Sequence, residues 1–588
     1  MAIMRGRFKL VGMAIAFLLG GWLIVMHVIL PSRISQAFEA ELASLREHAD
    51  ITFDTVDVTT DGVARLHDVV LRLKTKPIEA RIKRIDVEAR ADKVTRLTLI
   101  QPTFLHDGKP ELEAEEIGIA ALDPEAIGSF LDGNGSMIPA KPLSGINAKD
   151  IMVHRRDAHF TAKRLIVGTA TAESAENIEI EMASWRWTDE TGEHAMQAER
   201  VRLANLNHAY LARIDDAFTE NQDGLAVTAP NGLIRALVAD SVIVENAFGV
   251  AGRAYAETLS IADVEDAALI DMDIDSARGE FGDYGYRFDK ISLDRLPLWL
   301  TDGWARFEFD CMASDACRAD PLTTAGHHLL DRIEASGGLT IQGYSFVGGT
   351  ITPKDPSGLT MRDLTIAFRD FRIALSQHGE PYLDNAVFEF TGRGPINGLG
   401  PRERSFLGPT GIEGDISFAT RVAMSTDPTT GRAESAWEAS IKDLGSIGAD
   451  LAMADIAPDA LNLRLASPGL SPLTYLLTTD GGLDAATFTF DDDGLMDLYL
   501  DRSAAQFGQG RDAVVAVLKQ QLQGYGIIFG PSLNAVIPEL ERFLDAPQSL
   551  TIRIDPESPI PLQAFSTLWA TQPQGFLQRM NVSVEANR

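Results

Sequence analysis

The sequence predicts a mainly β protein with helical inserts, a single N-terminal transmembrane helix and a small C-terminal α+β module. Three observations predict this: an apolar N-terminal run, a long region of alternating apolar and polar residues, and a tail with helical apolar spacing. Between the anchor and the tail we expect an elongated antiparallel β-meander whose apolar face forms a groove.

The apolar run extends from Leu10 to Leu30 and is interrupted only by His27. A bilayer core of about 30 Å requires about 20 apolar residues in a helix, so the run is long enough to span. We place the anchor along Leu10, Leu18, Trp22 and Leu30. Three cations precede it, Arg5, Arg7 and Lys9, which predicts a cytoplasmic N-terminus. The bulk of the chain is then expected in the periplasm of a bacterium, held at the inner membrane.

Two alternatives compete with a retained anchor. A cleaved signal peptide has an apolar region of about 7–15 residues and ends in a small-x-small site. The run here is longer, and Pro31-Ser32-Arg33-Ile34 offers no such site. A buried helix of a soluble protein is the other alternative. We favour the retained anchor.

Composition limits the partners that the chain can have. The formal net charge is −31, and so acidic a surface repels nucleic acid and anionic lipid headgroups. We therefore expect no nucleic-acid partner, and no motif predicts a cofactor.

The chain has two cysteines, Cys311 and Cys317. In an oxidising compartment their short spacing favours a small-loop disulfide. A metal site would need two further ligands, and a redox-active pair would more typically have the spacing C-x-x-C.

The sequence divides into six segments. They are a cytoplasmic tip (1–9), the anchor (10–30), a helical linker (31–50), a β-repeat region (51–300), a second β-rich region (301–490) and the α+β module (491–588). The β-repeat region opens with alternating runs at 51–58 and 64–73 around Asp61-Gly62, which predicts a hairpin.

A loose repeat follows the hairpin: Ala, two residues of which the first is usually charged, an aliphatic residue, any residue, and an aliphatic residue. The closest copies are one strand and one turn apart, which favours an antiparallel meander over βαβ units. The copies are Ala114–Ile119, Ala148–Val153, Ala162–Val167, Ala175–Ile180, Ala198–Leu203, Ala239–Val244 and Ala256–Ile261. Helical inserts are expected at 123–131 and 207–218.

The second β-rich region and the tail contain further predicted elements. Strands are expected at 339–346, 359–373, 386–391, 412–423 and 436–441, with a helix at 320–336. In the tail we expect helices at 512–523 and 532–544, the latter capped by Ser532, a strand at 550–554, a helical stretch at 562–579 broken at Pro573, and a closing strand at 581–585.

Motifs that carry chemistry are absent from the sequence, including H-E-x-x-H, G-x-S-x-G and phosphate-binding loops. His154 and His159 lie five residues apart on a predicted strand, which places them on opposite faces and argues against shared metal ligation. His327 and Asp331 form only a two-residue helical pair. Asp491–Gly494 is interpreted as a hairpin turn between strands at 485–490 and 495–500.

The hairpin around Gly62-Val-Ala-Arg-Leu-His-Asp-Val-Val-Leu71 is similar to the opening repeat of AsmA-like and YdgA-like bacterial envelope proteins. This resemblance covers roughly residues 5–290. The tail resembles the end of uncharacterised envelope proteins with similar anchors, through Asp493-Gly494-Leu495, Phe543-Leu544-Asp-Ala-Pro547 and Val582-Ser-Val584-Glu-Ala-Asn587. The AsmA resemblance implies envelope biogenesis and phospholipid transport through an apolar β-groove, and it transfers no functional residue.

Three hypotheses follow. The leading one is a non-enzymatic, membrane-anchored periplasmic protein whose β-groove handles phospholipid or another envelope component. The second is a structural or adaptor protein that binds an envelope protein through its helical tail. The third is an envelope hydrolase whose carboxylates are distant in sequence. We expect no catalytic residue.

Overall fold

The structure of the protein is a computed structural model with two compact units, Met1–Glu280 and Phe281–Arg588. The residues that it describes are 49–59, 63–74, 77–90, 93–120, 143–155, 158–171, 174–189, 192–207, 234–246, 252–265, 268–281, 284–297, 329–331, 333–354, 360–395, 414–457, 461–463, 481–562 and 564–587. These residues are mostly β, as the sequence predicts.

The first unit is an antiparallel meander in which the long strands mostly pair with their neighbours in chain order. Its strands are β1 (Ala49–Thr52), β2 (Thr55–Val58), β3 (Val63–Leu73), β4 (Ile78–Arg90), β5 (Lys93–His106), β6 (Lys109–Glu113), β7 (Glu116–Ala120), β8 (Leu143–Arg155), β9 (Ala158–Ala170), β10 (Ala175–Asp189), β11 (Gly192–Leu206), β12 (Ile234–Arg235), β13 (Leu237–Glu245), β14 (Arg253–Glu265) and β15 (Ala268–Phe281). The predicted opening hairpin is confirmed, because β1 and β2 both pair with β3.

Every copy of the sequence repeat has its aliphatic positions in a strand of this meander, on β7, β8, β9, β10, β11, β13 and β14. In a regular strand, residues three apart point to opposite faces. Yet Ala148 and Ile151 are both buried, and so are Ala239 and Val242. The repeat therefore needs a local change in the strand that returns both side chains to one face.

Left-handed backbone at single residues supplies this change. Asp150 has φ 46° and Ser241 has φ 54°, and each lies between the two buried residues of its repeat. The register with the neighbouring strand is unchanged, since Lys149 pairs with Arg164 and Ile151 with Ala162. The left-handed residue thus reverses the alternation without adding a residue.

The left-handed residues form a row across the sheet, on every second strand where the meander is continuous. The cross-strand registers place them in line. The row consists of Asp68, Gln101, Asp150, Met182, Ser241 and Ser276. A second row lies five residues before four of these and consists of Gly145, Asn177, Ala236 and Asp271. Left-handed backbone costs an ordinary residue about 1–2 kcal/mol, and Asp and Asn tolerate it best.

Apolar side chains on one face of the meander form its core. Leu66, Ile85, Leu97, Leu99 and Phe104 are completely buried. The cluster continues through β8 to Ile178 on β10, with Leu203 and Leu206 of β11 partly buried against it. Further along, on β13 and β14, Val244 and Leu259 are only partly buried around a smaller cluster. Burial of the apolar face is therefore greatest near β3–β5.

The second unit begins with another antiparallel meander. Its strands are β16 (Tyr284–Pro297), β17 (Leu339–Pro353), β18 (Met361–Leu375), β19 (Pro381–Pro395), β20 (Asp415–Asp427), β21 (Arg432–Ile441), β22 (Gly445–Ala454) and β23 (Gly482–Asp492). The five predicted strands correspond to β17–β21. The strand β22 was missed because its small residues, Gly-Ser-Ile-Gly-Ala-Asp-Leu-Ala-Met-Ala, give little alternation. Residues 329–331 and 333–336 are helical, within the predicted helix.

The C-terminal module adds five helices and three strands to this sheet. They are α1 (Leu495–Phe507), α2 (Arg511–Phe529), α3 (Pro531–Asp545), β24 (Ser549–Ile554), β25 (Ile560–Pro561), α4 (Ala564–Thr571), α5 (Pro573–Met580) and β26 (Val582–Ala586). The break at Pro573 and the closing strand are confirmed. Ser532 is not the cap of α3: Gly530 holds that position and Pro531 fills the first turn, where its missing N–H costs nothing.

The hairpin predicted around Asp491–Gly494 is wrong, because a helix follows β23. The N–H of Met496 donates to Asp492 Oδ1 over 2.8 Å, and the N–H of Leu498 donates to the Gly494 carbonyl. Gly494 adopts φ 128°, which suits glycine. Leu500 and Ala504 are buried one turn apart, so helical packing prevails over the Asp-Gly turn signal.

Several predictions lie outside the described residues. These are the anchor 10–30, residues 31–48 of the linker predicted at 31–50, the insert 123–131, residues 208–218 of the insert predicted at 207–218, and the cysteines Cys311 and Cys317. Among the residues that are described, no helix combines the length and the apolar character that crossing a membrane requires.

The left-handed row makes a prediction at Met182, whose φ is 51° and whose side chain is 58% exposed. Met182→Val should unfold more easily than Met182→Gly, by about 1–2 kcal/mol, because a β-branched residue resists left-handed backbone. Urea denaturation of the two variants, followed by tryptophan fluorescence, measures the difference.

Met152 is the matched control, since it is exposed on β8 and is not among the residues with positive φ. There the order should reverse, because glycine weakens an extended strand by about 0.5–1 kcal/mol. The same order at both positions would contradict a left-handed Met182.

Candidate functional site

The second unit carries an unbroken series of aromatic rings across five strands, which we call the aromatic ladder. Its members are Tyr286 and Phe288 of β16, Tyr344 and Phe346 of β17, Phe368 of β18, Phe388 and Phe390 of β19, and Phe418 of β20. The rings touch in the order Tyr286, Phe288, Phe346, Tyr344, Phe368, Phe388, Phe390 and Phe418. In that order, successive ring centroids lie 6.2, 5.0, 4.9, 6.0, 5.1, 6.5 and 5.2 Å apart. These distances are those of favourable aromatic pairs.

The strand register brings the rings together on one face. Tyr344 pairs with Phe368, and Phe368 pairs with Phe388. On β17, Gly348 has φ 67°, and it reverses the alternation so that Phe346 and Gly349 share the ladder face. The device that orders the first unit thus also aligns the ladder.

Two glycines leave room for rings of the ladder. A Cβ on Gly349 would lie 2.3 Å from the Phe288 ring, and one on Gly392 would lie 3.0 Å from the Phe418 ring. Both distances are shorter than van der Waals contact. The ladder therefore requires glycine at these positions for space.

The ladder is partly open to solvent. Phe288 is buried, whereas the other seven rings are half-buried. Burial raises the pKa of the Tyr344 phenol and of the Tyr286 phenol above the ordinary value. In the part of the chain that the structure describes, the ring contacts of these eight side chains are with one another.

The opposite face of the same strands is charged. The Arg369 guanidinium lies 2.9 Å from Glu389, which Arg421 approaches to 3.7 Å from the next strand. Asp415 pairs in the same way with Arg362 and Arg393. The sheet therefore has one aromatic face and one ion-paired face.

The apolar face continues from the ladder toward the C-terminal module. Cross-strand pairs carry it from Phe388 to Val422, then to Trp437, Ala449 and Phe488. Phe488 is 39% exposed and the neighbouring Ile447 is 47% exposed.

Helices of the module cover the far end of this face. The Phe543 ring of α3 lies against Phe490 with centroids 5.8 Å apart. Phe576 and Met580 of α5 pack with Ala486 and Ile554. Helices of the module thus cover the C-terminal end of the apolar face, whereas most rings of the ladder are half-buried.

Sequence reasoning missed the ladder. The signal was the alternating Tyr-x-Phe and Phe-x-Phe spacing at 286–288, 344–346 and 388–390. Each pair has the spacing of any half-buried strand, and only the cross-strand register shows that the rings meet.

The orientation predicted for His154 and His159 is wrong. They form a register pair across the β8–β9 hairpin, so they lie on one face with their Nδ1 atoms 3.3 Å apart. The prediction assumed that the two histidines lie on one strand, whereas they lie on different strands. Within the described ranges, no cluster of three or more His, Cys, Asp or Glu is arranged to hold a metal ion.

Comparison with known proteins gives one partial match. A family model described as "Uncharacterized protein" matches residues 438–587, which covers β22–β26 and all five helices. No curated protein matches the chain. The matched range includes residues 491–587 of the C-terminal module.

The close approach of the Phe288 ring to Gly349 predicts that a side chain added at Gly349 lowers the stability of the fold. Gly349→Ala should lower the free energy of unfolding by about 1–3 kcal/mol, because the new methyl group displaces the Phe288 ring. Gly394→Ala is the control, since its Cβ would meet nothing closer than 3.8 Å. Thermal denaturation of both variants measures the difference, and equal midpoints would contradict the packing.

The raised pKa of Tyr344 predicts weaker folding in alkali. The proton is held more tightly in the folded state, so its stabilisation is complete below the unfolded pKa of about 10 and is lost as pH rises through the folded pKa. Tyr344→Phe should therefore lose less stability between neutral and alkaline pH than the natural chain. Tyr284→Phe, at a residue 51% exposed, should behave like the natural chain in alkaline denaturation.

Proposed function

We propose that this chain is a non-enzymatic envelope protein, anchored in the bacterial inner membrane, whose periplasmic β-sheet binds the acyl chains of phospholipid. The aromatic ladder is the observation that carries the proposal: eight contacting rings, seven of them half-buried, on one face of five strands. Burying apolar area contributes about 25 cal/mol per Å², so an acyl chain along the rings gains much of its transfer free energy.

The shape of the ladder suits a flexible, elongated ligand. The rings follow one another across the strands, and among the described residues the polar atoms of the ladder's side chains are two tyrosine hydroxyls, too few to select a compact polar molecule. An acyl chain needs no hydrogen-bond partner, so a strip made largely of phenyl rings can hold it without a specific polar contact.

The proposed location is supported by Leu10–Leu30 and the cations before it. A tether at the inner membrane would keep the sheet close to a source of phospholipid. The net charge of −31 disfavours anionic headgroups, so we expect zwitterionic phospholipid to be preferred.

Site-specific photocrosslinking tests this proposal. p-Benzoylphenylalanine at Phe368 keeps an aromatic ring in the ladder and should crosslink phospholipid in cells. The same group at Arg369, the next residue on β18, lies on the ion-paired face and should not. Mass spectrometry of the purified protein identifies the adduct.

A second pair, Phe390 and Glu389 of β19, repeats the comparison on another strand. Equal lipid labelling on both faces, or no lipid adduct at Phe368 and Phe390, would overturn the proposal. Protein adducts at the ladder would show that a polypeptide covers these rings.

An adaptor function is the second candidate, and the helices of the module favour it. Ile527 is 83% exposed, Phe507 67%, Tyr525 51% and Val517 47%. Contiguous exposed apolar patches mark interaction surfaces, and three of these residues, Val517, Tyr525 and Ile527, lie on the same helix. p-Benzoylphenylalanine at Ile527 would give one discrete protein adduct if the module binds an envelope protein.

A further inference from the structure

The β8–β9 hairpin brings two imidazoles together at its end. His154 and His159 are directly opposed, their Nδ1 atoms lie 3.3 Å apart, and their ring planes cross at 82° with centroids 5.4 Å apart. His154 is partly exposed and His159 is exposed, so solvent reaches both rings.

This arrangement has the dimensions of half a tetrahedral zinc site. Two Zn–N bonds of about 2.05 Å at the tetrahedral angle separate their nitrogens by about 3.3 Å and their ring centroids by about 5.2 Å. A square-planar ion would require the nitrogens about 2.9 Å apart. The observed 3.3 Å fits the tetrahedral case.

Glu113 places a carboxylate near the other nitrogen of one ring. Its Oε2 lies 3.9 Å from His154 Nε2, and the register holds it there because Glu113 of β6 pairs with Met152 of β8. This separation is longer than a hydrogen bond, and a small rotation of the exposed Glu113 side chain would bring the carboxylate into the position that often supports a zinc-bound histidine.

We propose that His154 and His159 bind one Zn²⁺ ion through their Nδ1 atoms, with Glu113 orienting His154 and water completing the tetrahedron. The two ligands lie on strands already joined by backbone hydrogen bonds, so little ordering is needed on binding. The ion joins the ends of β8 and β9 and stabilises the first unit by linkage.

Calorimetric titration of the tag-free full chain in detergent with Zn²⁺ tests the proposal. The natural chain should bind one more ion than the His154→Gln/His159→Gln double variant. His159→Gln alone should bind that ion at least about tenfold more weakly, and Glu113→Gln should weaken it less. Co²⁺ in place of Zn²⁺ should give the visible absorption of a tetrahedral nitrogen site in the natural chain only.

His106→Gln is the matched control, because His106 lies on a neighbouring hairpin with its Nδ1 3.1 Å from Glu111 and no histidine opposite. It should bind Zn²⁺ like the natural chain. Zn²⁺ should also raise the unfolding temperature of the natural chain and of His106→Gln, but not that of the double variant. Equal zinc stoichiometry in the natural chain and the double variant would overturn the site.

Discussion

The alternation of side chains along a strand is the constraint on which the rest of this structure depends. A regular alternation of side chains would place Leu66 and Val69 on opposite faces of the strand, yet both residues are buried. The left-handed residue Asp68 resolves the conflict. Repeated along a row, this local feature holds one apolar face through the first unit, and at Gly348 it holds the aromatic face in the second.

The two faces then have separate roles. Charged side chains on the solvent side pair across strands, as Lys149 does with Glu116 and Arg369 with Glu389. Such exposed pairs contribute little to stability. The free energy of folding comes from the other face, where burial is complete around Phe104 and partial along the ladder. The ladder face, where burial is partial, therefore keeps apolar surface in contact with solvent.

Local patterns were sufficient to predict most strands and three stretches of tail helix. Prediction from sequence failed where the outcome depends on which residues pair across strands or pack between elements. The ladder needs the register of five strands, and the His154–His159 pair needs its hairpin. Residues Leu495–Leu500, predicted as a strand, are helical because Leu500 packs with Ala504 and Val514. The family match begins at residue 438, inside β21, so the matched segment remains hydrogen-bonded to strand residues before it.

The row of left-handed residues also defines the unit by which such a sheet can change its length. Asp68 and Gln101 are 33 positions apart, Asp150 and Met182 are 32 apart, and Ser241 and Ser276 are 35 apart. Each interval is one hairpin. Gain or loss of a whole hairpin would keep every remaining strand in phase with its neighbours, whereas a single strand would not. Chains built on this plan can therefore diverge in size by steps of two strands while the apolar side chains stay on the same side of the sheet.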